Sequence, residues 1–157
     1  MLSIWEHMAG GVGGKRLATA AGDSDDMPPA TLRITVLRAK DLLAADRGGT
    51  SDPYARAHIG DDIMHQKKTE VKNKTLNPTW MEGFELHVAS VHRHEGLTVE
   101  VFDKDMIGAD DSLGKLVVPL DSLVPDKEYR DWYQLEQVNG YMHPFSDSLA
   151  DTEESKI

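Results

Sequence analysis

The chain has 157 residues, 39% of them hydrophobic, and 27 acidic against 17 basic side chains give a net charge of −10. That balance excludes non-specific nucleic-acid binding, which needs a basic footprint along the phosphate backbone, and it opposes docking on an anionic membrane unless the charge is reversed locally. Length and apolar content allow one domain with tails, and the absence of cysteine removes disulfides, thiolate metal sites and cysteine nucleophiles, as fits a reducing compartment.

Residues 1–29 read as a flexible lead. Met1 to Gly14 is too polar and glycine-rich for a signal-peptide core. Gly10 to Gly14 is linker-like, and Asp23-Ser24-Asp25-Asp26 with Pro28-Pro29 resists helix and strand. A domain boundary is expected near residue 30. From there, short runs with period-two alternation predict strands. They are Thr31 to Val36, Tyr54 to Ile59, the basic run Lys67 to Lys72, Phe84 to Val88, Leu97 to Val101, Leu116 to Val118 and Trp132 to Leu135. Turn signals at Gly48-Gly49, Gly60-Asp61-Asp62, Asn77-Pro78 and Gly108 separate many of them. Asp41 to Ala45 and Leu120 to Val124 support a turn of helix at most. The series indicates an all-β antiparallel sandwich over residues 30–138. Residues 139–157 read as a solvated acidic tail. No apolar run approaches the ~20 residues of a membrane span.

Two loops carry the chemistry. Asp46 and Asp52 flank a glycine-containing turn, and Asp103, Asp105 and Asp111 lie on a second loop after the strand ending at Val101. If the loops meet at one end of the sandwich, five carboxylates converge. Such a cluster repels itself and must spread, protonate or share a cation. Calcium suits it, being hard, rich in oxygen ligands and tolerant of irregular loops, whereas magnesium demands a tighter octahedron. The same loop exposes Met106 and Ile107 at its tip. No nucleophile motif, phosphate loop or catalytic acid pair stands out, so no enzyme is expected.

Asp46-Arg47-Gly48-Gly49-Thr50-Ser51-Asp52-Pro53-Tyr54, Lys74-Thr75-Leu76-Asn77-Pro78-Thr79-Trp80-Met81-Glu82, and Phe102-Asp103-Lys104-Asp105 with Asp111 and Leu113-Gly114 together resemble the C2 domain family in order and spacing, over about residues 30–137. The resemblance implies an eight-stranded Greek-key sandwich with calcium-binding loops at one end. It implies Asp46, Asp52, Asp103, Asp105 and Asp111 as ligands of about two or three Ca²⁺ ions, joined by the backbone carbonyls of Ala45 and Lys104. Met106 and Ile107 would enter the bilayer, and Arg47 would meet lipid phosphate. Tyr54, Lys67 and Lys68 match part of a phosphoinositide-binding pattern, although Glu70 stands where a further lysine is expected. Asp110 reads as a solvated turn charge, His92-Arg93-His94 as a solvated loop, and Trp80 and Phe84 as core. Met81 occupies a position where the family usually has asparagine.

The function so implied is reversible, calcium-dependent binding to anionic phospholipid membranes, phosphatidylserine and phosphoinositides included, by a cytoplasmic protein recruited when calcium rises. The alternatives are a calcium-independent protein-interaction scaffold with protein partners, and the regulatory piece of a larger enzyme. Seven strands are legible and the eighth is not. No alternating aliphatic strand follows Leu135, and Lys15 to Ala20 is a poor candidate for a strand preceding Thr31.

Overall fold

A computed structural model describes residues 1–9, 30–46, 48–89 and 94–137. The glycine-rich run, Lys15 to Ala20, Arg47, His92-Arg93 and the acidic tail lie outside these residues. Eight strands form: β1 (Leu2–Ala9), β2 (Ala30–Ala39), β3 (Pro53–Ile59), β4 (Lys67–Lys68), β5 (Thr79–Val88), β6 (Gly96–Asp103), β7 (Asp111–Pro119) and β8 (Glu128–Tyr133). They make two four-stranded sheets, β5-β2-β1-β8 and β4-β3-β6-β7, with every pairing antiparallel. Alternation explains the layers. Leu32, Ile34 and Val36 of β2 and Leu97, Val99 and Val101 of β6 are buried and meet in one core, while their neighbours along each strand face outward.

The eighth strand is β1, which corrects the expectation of a flexible lead over its first residues. It lies between β2 and β8 and joins them into one sheet, whose edges are β5 and β8. Leu2, Ile4 and Glu6 all point inward. A carboxylate in the third inward position hides the alternation in the sequence. Glu6 is only 1% exposed, and its Oε1 accepts a 2.6 Å hydrogen bond from the Tyr133 hydroxyl. Burial, with Asp131 nearby, raises its pKa against the opposing effect of that hydrogen bond.

Other boundaries move less. The basic run expected from Lys67 to Lys72 is a strand only at Lys67–Lys68. β5 starts at Thr79 instead of Phe84 and takes in Trp80, which is buried as expected; Phe84 is half-buried against the core. The last strand ends at Tyr133. Between Val36 and Arg38 the β2–β5 register shifts, with an extra residue on β5 at Trp80–Met81. Met81 there has φ +59° and an exposed side chain, a left-handed conformation that asparagine or glycine tolerates better than methionine.

Candidate metal centre

The site is built where β3 begins, β6 ends and β7 begins. Pro53, Asp103 and Asp111 are neighbours in one row across three strands. Asp52 immediately precedes that row, and Asp105 follows Asp103 by two residues. The inward alternation of β6 runs Leu97, Val99, Val101 and then Asp103, so the strand's own pleat delivers a carboxylate to the mouth of the core. Asp103 is 1% exposed.

The first loop is held by backbone and hydroxyl contacts. The Ser51 hydroxyl is buried; it accepts from the Ala45 N–H and donates to the Leu43 carbonyl, both at 2.9 Å. Asp46 N–H donates to the Thr50 carbonyl, and Gly49 N–H to the Asp46 carbonyl, each at 3.0 Å. Gly49 turns the chain at φ +74°, a value a glycine adopts without strain. The loops are joined directly. Asp103 Oδ1 accepts the Asp52 N–H at 2.5 Å, and Lys104 N–H donates to the Asp52 carbonyl at 3.0 Å. Asp52 Oδ1 in turn accepts the Lys74 N–H at 2.5 Å.

Electrostatics ties the five aspartates together. The Asp103 carboxyl is raised to about 6, first by burial and then by the charges of Asp46, Asp105 and Asp52, against the stabilising hydrogen bond from the Asp52 backbone. Asp105 is raised by burial and by Asp111, Asp110 and Asp46, with Lys104 opposing. Asp103 is thus repelled by Asp46, Asp52 and Asp105, and Asp105 by Asp46 and Asp111. Their oxygens do not enclose a single point: among the described residues, no three or more acidic or histidine side chains are gathered in metal-holding geometry. Asp103 and Asp52 instead rest on backbone N–H groups.

Beyond the carboxylates, Met106 and Ile107 are 101% and 94% exposed. Gly108 follows at φ +103°. Past the loop, Gly114 has φ +124°, and a Cβ on it would lie 3.0 Å from the Leu135 Cβ and 3.1 Å from the Glu136 carbonyl oxygen. Glycine is therefore needed where β7 passes the segment after β8, in which Glu136 pairs with Lys115.

Two expectations need revision. Asp110 is not a solvated turn charge. Its Oδ2 accepts from the Tyr54 hydroxyl at 2.5 Å and from Arg56 Nη2 at 3.3 Å, and its Oδ1 from Lys104 Nζ at 2.8 Å and the Asp105 N–H at 3.2 Å. Burial alone would raise its pKa; the donors of Lys104, Tyr54 and Asp105 outweigh that and hold it at about 2. Tyr54, grouped with Lys67 and Lys68, is 4% exposed. It stacks on Phe102 at 5.8 Å. Its hydroxyl is occupied by Asp110 and Arg56 and is pushed up to about 12, first by burial. Arg56 lies 4.0 Å from the Phe102 ring centroid. Lys67 and Lys68 remain exposed, beside Ala57 and Arg56 of β3. Sequence reading passed over Arg56 and Ser51. The outward place of Arg56 on an alternating strand was visible, but of its partners only Tyr54 is near in sequence, whereas Phe102 and Asp110 come from a strand and a loop far along the chain.

Among the described residues no helix is long and apolar enough to cross a membrane. Residues 30–135 match the family model described as the C2 domain. Synaptotagmin-4 of Arabidopsis thaliana is 40% identical over 117 residues, covering 73% of this chain but 20% of that protein. The chain likewise spans 18% of the length of Arabidopsis thaliana synaptotagmin-3. A solved C2 domain of plant extended synaptotagmin 1 shares 34% identity, with a TM-score of 0.55, covering 62% of this chain and 73% of that one. A calcium-bound structure of two C2 domains of extended synaptotagmin 2 shares 33% identity, with a TM-score of 0.51, over 59% of this chain and 35% of that one.

Proposed function

As the chain belongs to the C2 domain family, we propose that it docks reversibly on anionic phospholipid membranes when calcium binds its first and third loops. The observation that carries this reading is the buried Asp103 carboxylate at one end of the sandwich, beside Asp111 across the sheet and bonded to the Asp52 backbone, with two bare apolar side chains beyond it. Asp46, Asp52, Asp103, Asp105 and Asp111, with the carbonyls of Ala45 and Lys104, form a hard, all-oxygen donor set of the kind calcium prefers. The adjacency of Asp103 and Asp111 across β6 and β7, with Asp52 just before β3, supports this reading; closing the set on an ion asks Asp103 and Asp52 to exchange N–H partners for metal. A calcium-bound relative of 33% identity supports the assignment.

Bound calcium would supply positive charge at a place where the protein is negative. About two or three ions offset five carboxylates, which removes repulsion from an anionic bilayer and lets lipid phosphates reach the loop end. Met106 and Ile107 then bury apolar surface, each adding roughly 1.5–3 kcal/mol if fully inserted. The first-loop residue Arg47 is assigned to lipid phosphate. No catalytic step is assigned to these residues.

Calorimetric calcium titration of wild type and of Asp103→Asn/Asp105→Asn tests this reading. Saturable uptake by wild type that the double variant lacks supports it; equal heats from both would remove the site. The exposure of Lys67 and Lys68 favours an added phosphoinositide contact on β4, without Tyr54. Lys67→Ala/Lys68→Ala is then expected to weaken binding to phosphoinositide vesicles while leaving phosphatidylserine binding in place.

A further inference from the structure

We propose that Asp110 is a positioning residue for the calcium loops: it ties the third loop to β3 and holds the cations of Lys104 and Arg56 away from the ligand carboxylates. The proposal rests on the calcium reading above.

The geometry gives Asp110 partners on both sides. Through Oδ1 it takes the Asp105 N–H and the Lys104 ammonium, which lie on the outgoing arm of the same loop. Through Oδ2 it takes the Tyr54 hydroxyl and the Arg56 guanidinium, which stand on β3. One carboxylate therefore closes the loop between residues 105 and 110 and fastens it to the sheet. The sheet side is itself rigid, because Tyr54 stacks on Phe102 and Arg56 packs over both rings.

The charges matter as much as the tether. Lys104 sits between Asp103 and Asp105 in the chain, and it already acts on Asp105 electrostatically. An ammonium released from Asp110 would find the nearest negative charge in the proposed ligands and compete there with calcium. Asp110 keeps it occupied 2.8 Å away, and holds Arg56 in the same way at 3.3 Å. Such an outer partner changes metal affinity without touching the metal.

Three variants, Asp110→Ala, Tyr54→Phe and Asp110→Ala/Lys104→Met, are compared with wild type by calorimetric calcium titration and by amide hydrogen exchange without calcium. Asp110→Ala is expected to exchange the Asp105 amide faster and to lose about tenfold in calcium affinity at an unchanged ion count, the low end for outer partners of a metal site. Tyr54→Phe, which removes a donor and no charge, is expected to move both readings the same way by less. Lys104→Met in the Asp110→Ala background is expected to recover part of the affinity. Wild-type affinity in Asp110→Ala overturns the proposal, as does the loss of one bound ion, which would make Asp110 a ligand. Failure of Lys104→Met to recover affinity overturns it as well. A wild type that takes up no calcium overturns the calcium reading together with this one, whereas wild-type uptake indifferent to Asp110 overturns this one alone.

Discussion

Asp103 accepts the backbone N–H of Asp52 at 2.5 Å, across 51 residues of chain. This contact joins the first loop to the third, and it partly offsets the cost of a carboxylate held at the mouth of the core. The two loops are therefore one structural unit, and changes at Asp103 are expected to bear on stability and on the proposed calcium uptake in opposite directions.

Asp103→Asn keeps an oxygen for the Asp52 N–H and removes a buried, repelled charge. In calcium-free buffer at pH 7 it is expected to stabilise the protein by about 1–2 kcal/mol, less than the ~3 kcal/mol that the full displacement of its pKa would carry. Urea unfolding with and without calcium measures both sides. The variant should be the more stable protein without calcium and should gain little from added calcium, while wild type gains more. A variant less stable than wild type in calcium-free buffer would count against a strained Asp103.

The pH dependence follows from the same burial. Asp103, raised from 3.8 to about 6, and Glu6, raised from 4.5, both bind protons more tightly folded than unfolded. Each contributes stability that is full below its unfolded value and is lost as pH rises through its folded value. Calcium-free protein should therefore lose stability between pH of about 4 and 6 on account of Asp103. Glu6→Gln should flatten the Glu6 part of that slope. Calcium uptake near pH 6 should release protons, seen as a dependence of the calorimetric heat on buffer ionisation enthalpy. A heat independent of buffer would contradict the assignment of Asp103 as a ligand.

Met106→Ser and Ile107→Ser remove apolar surface that is almost fully exposed in the free protein. Each is expected to leave calcium affinity and unfolding unchanged and to weaken vesicle binding by about tenfold or more, from the 1.5–3 kcal/mol of a buried side chain. Dissociation kinetics from phosphatidylserine vesicles read this directly; unaltered residence times would place the tip outside the bilayer.

Met81→Asn tests the bulge of β5. With φ +59° and an exposed side chain, methionine there holds a conformation that asparagine tolerates at lower cost. A gain of about 0.5–1 kcal/mol in unfolding free energy is expected, with calcium uptake unchanged. Loss of stability would mean that the methionine side chain contributes packing on the sheet face.

Much of this was legible because it is local. Leu97 to Val101 alternates, and continuing that alternation by one more step puts Asp103 inside. The exposed tip and the acids around it follow from loop chemistry. What was hidden depends on distant partners or on broken patterns. Glu6 takes an inward place in β1 and so masks the strand, and its partner Tyr133 lies 127 residues away. Asp110 looked solvated because its partners Tyr54 and Arg56 lie 56 and 54 residues earlier. The basic strand is shorter than its lysines suggest, since Thr69, Glu70 and Val71 separate Lys68 from Lys72 and pairing with β3 stops at Lys68.

The most direct test of calcium-dependent docking is sedimentation with phosphatidylserine vesicles. Wild type is expected to pellet in calcium and to stay in the supernatant with chelator, while Asp103→Asn/Asp105→Asn stays in the supernatant in both. Wild type that pellets equally with and without calcium, or not at all, would contradict the account, as would a double variant that pellets like wild type.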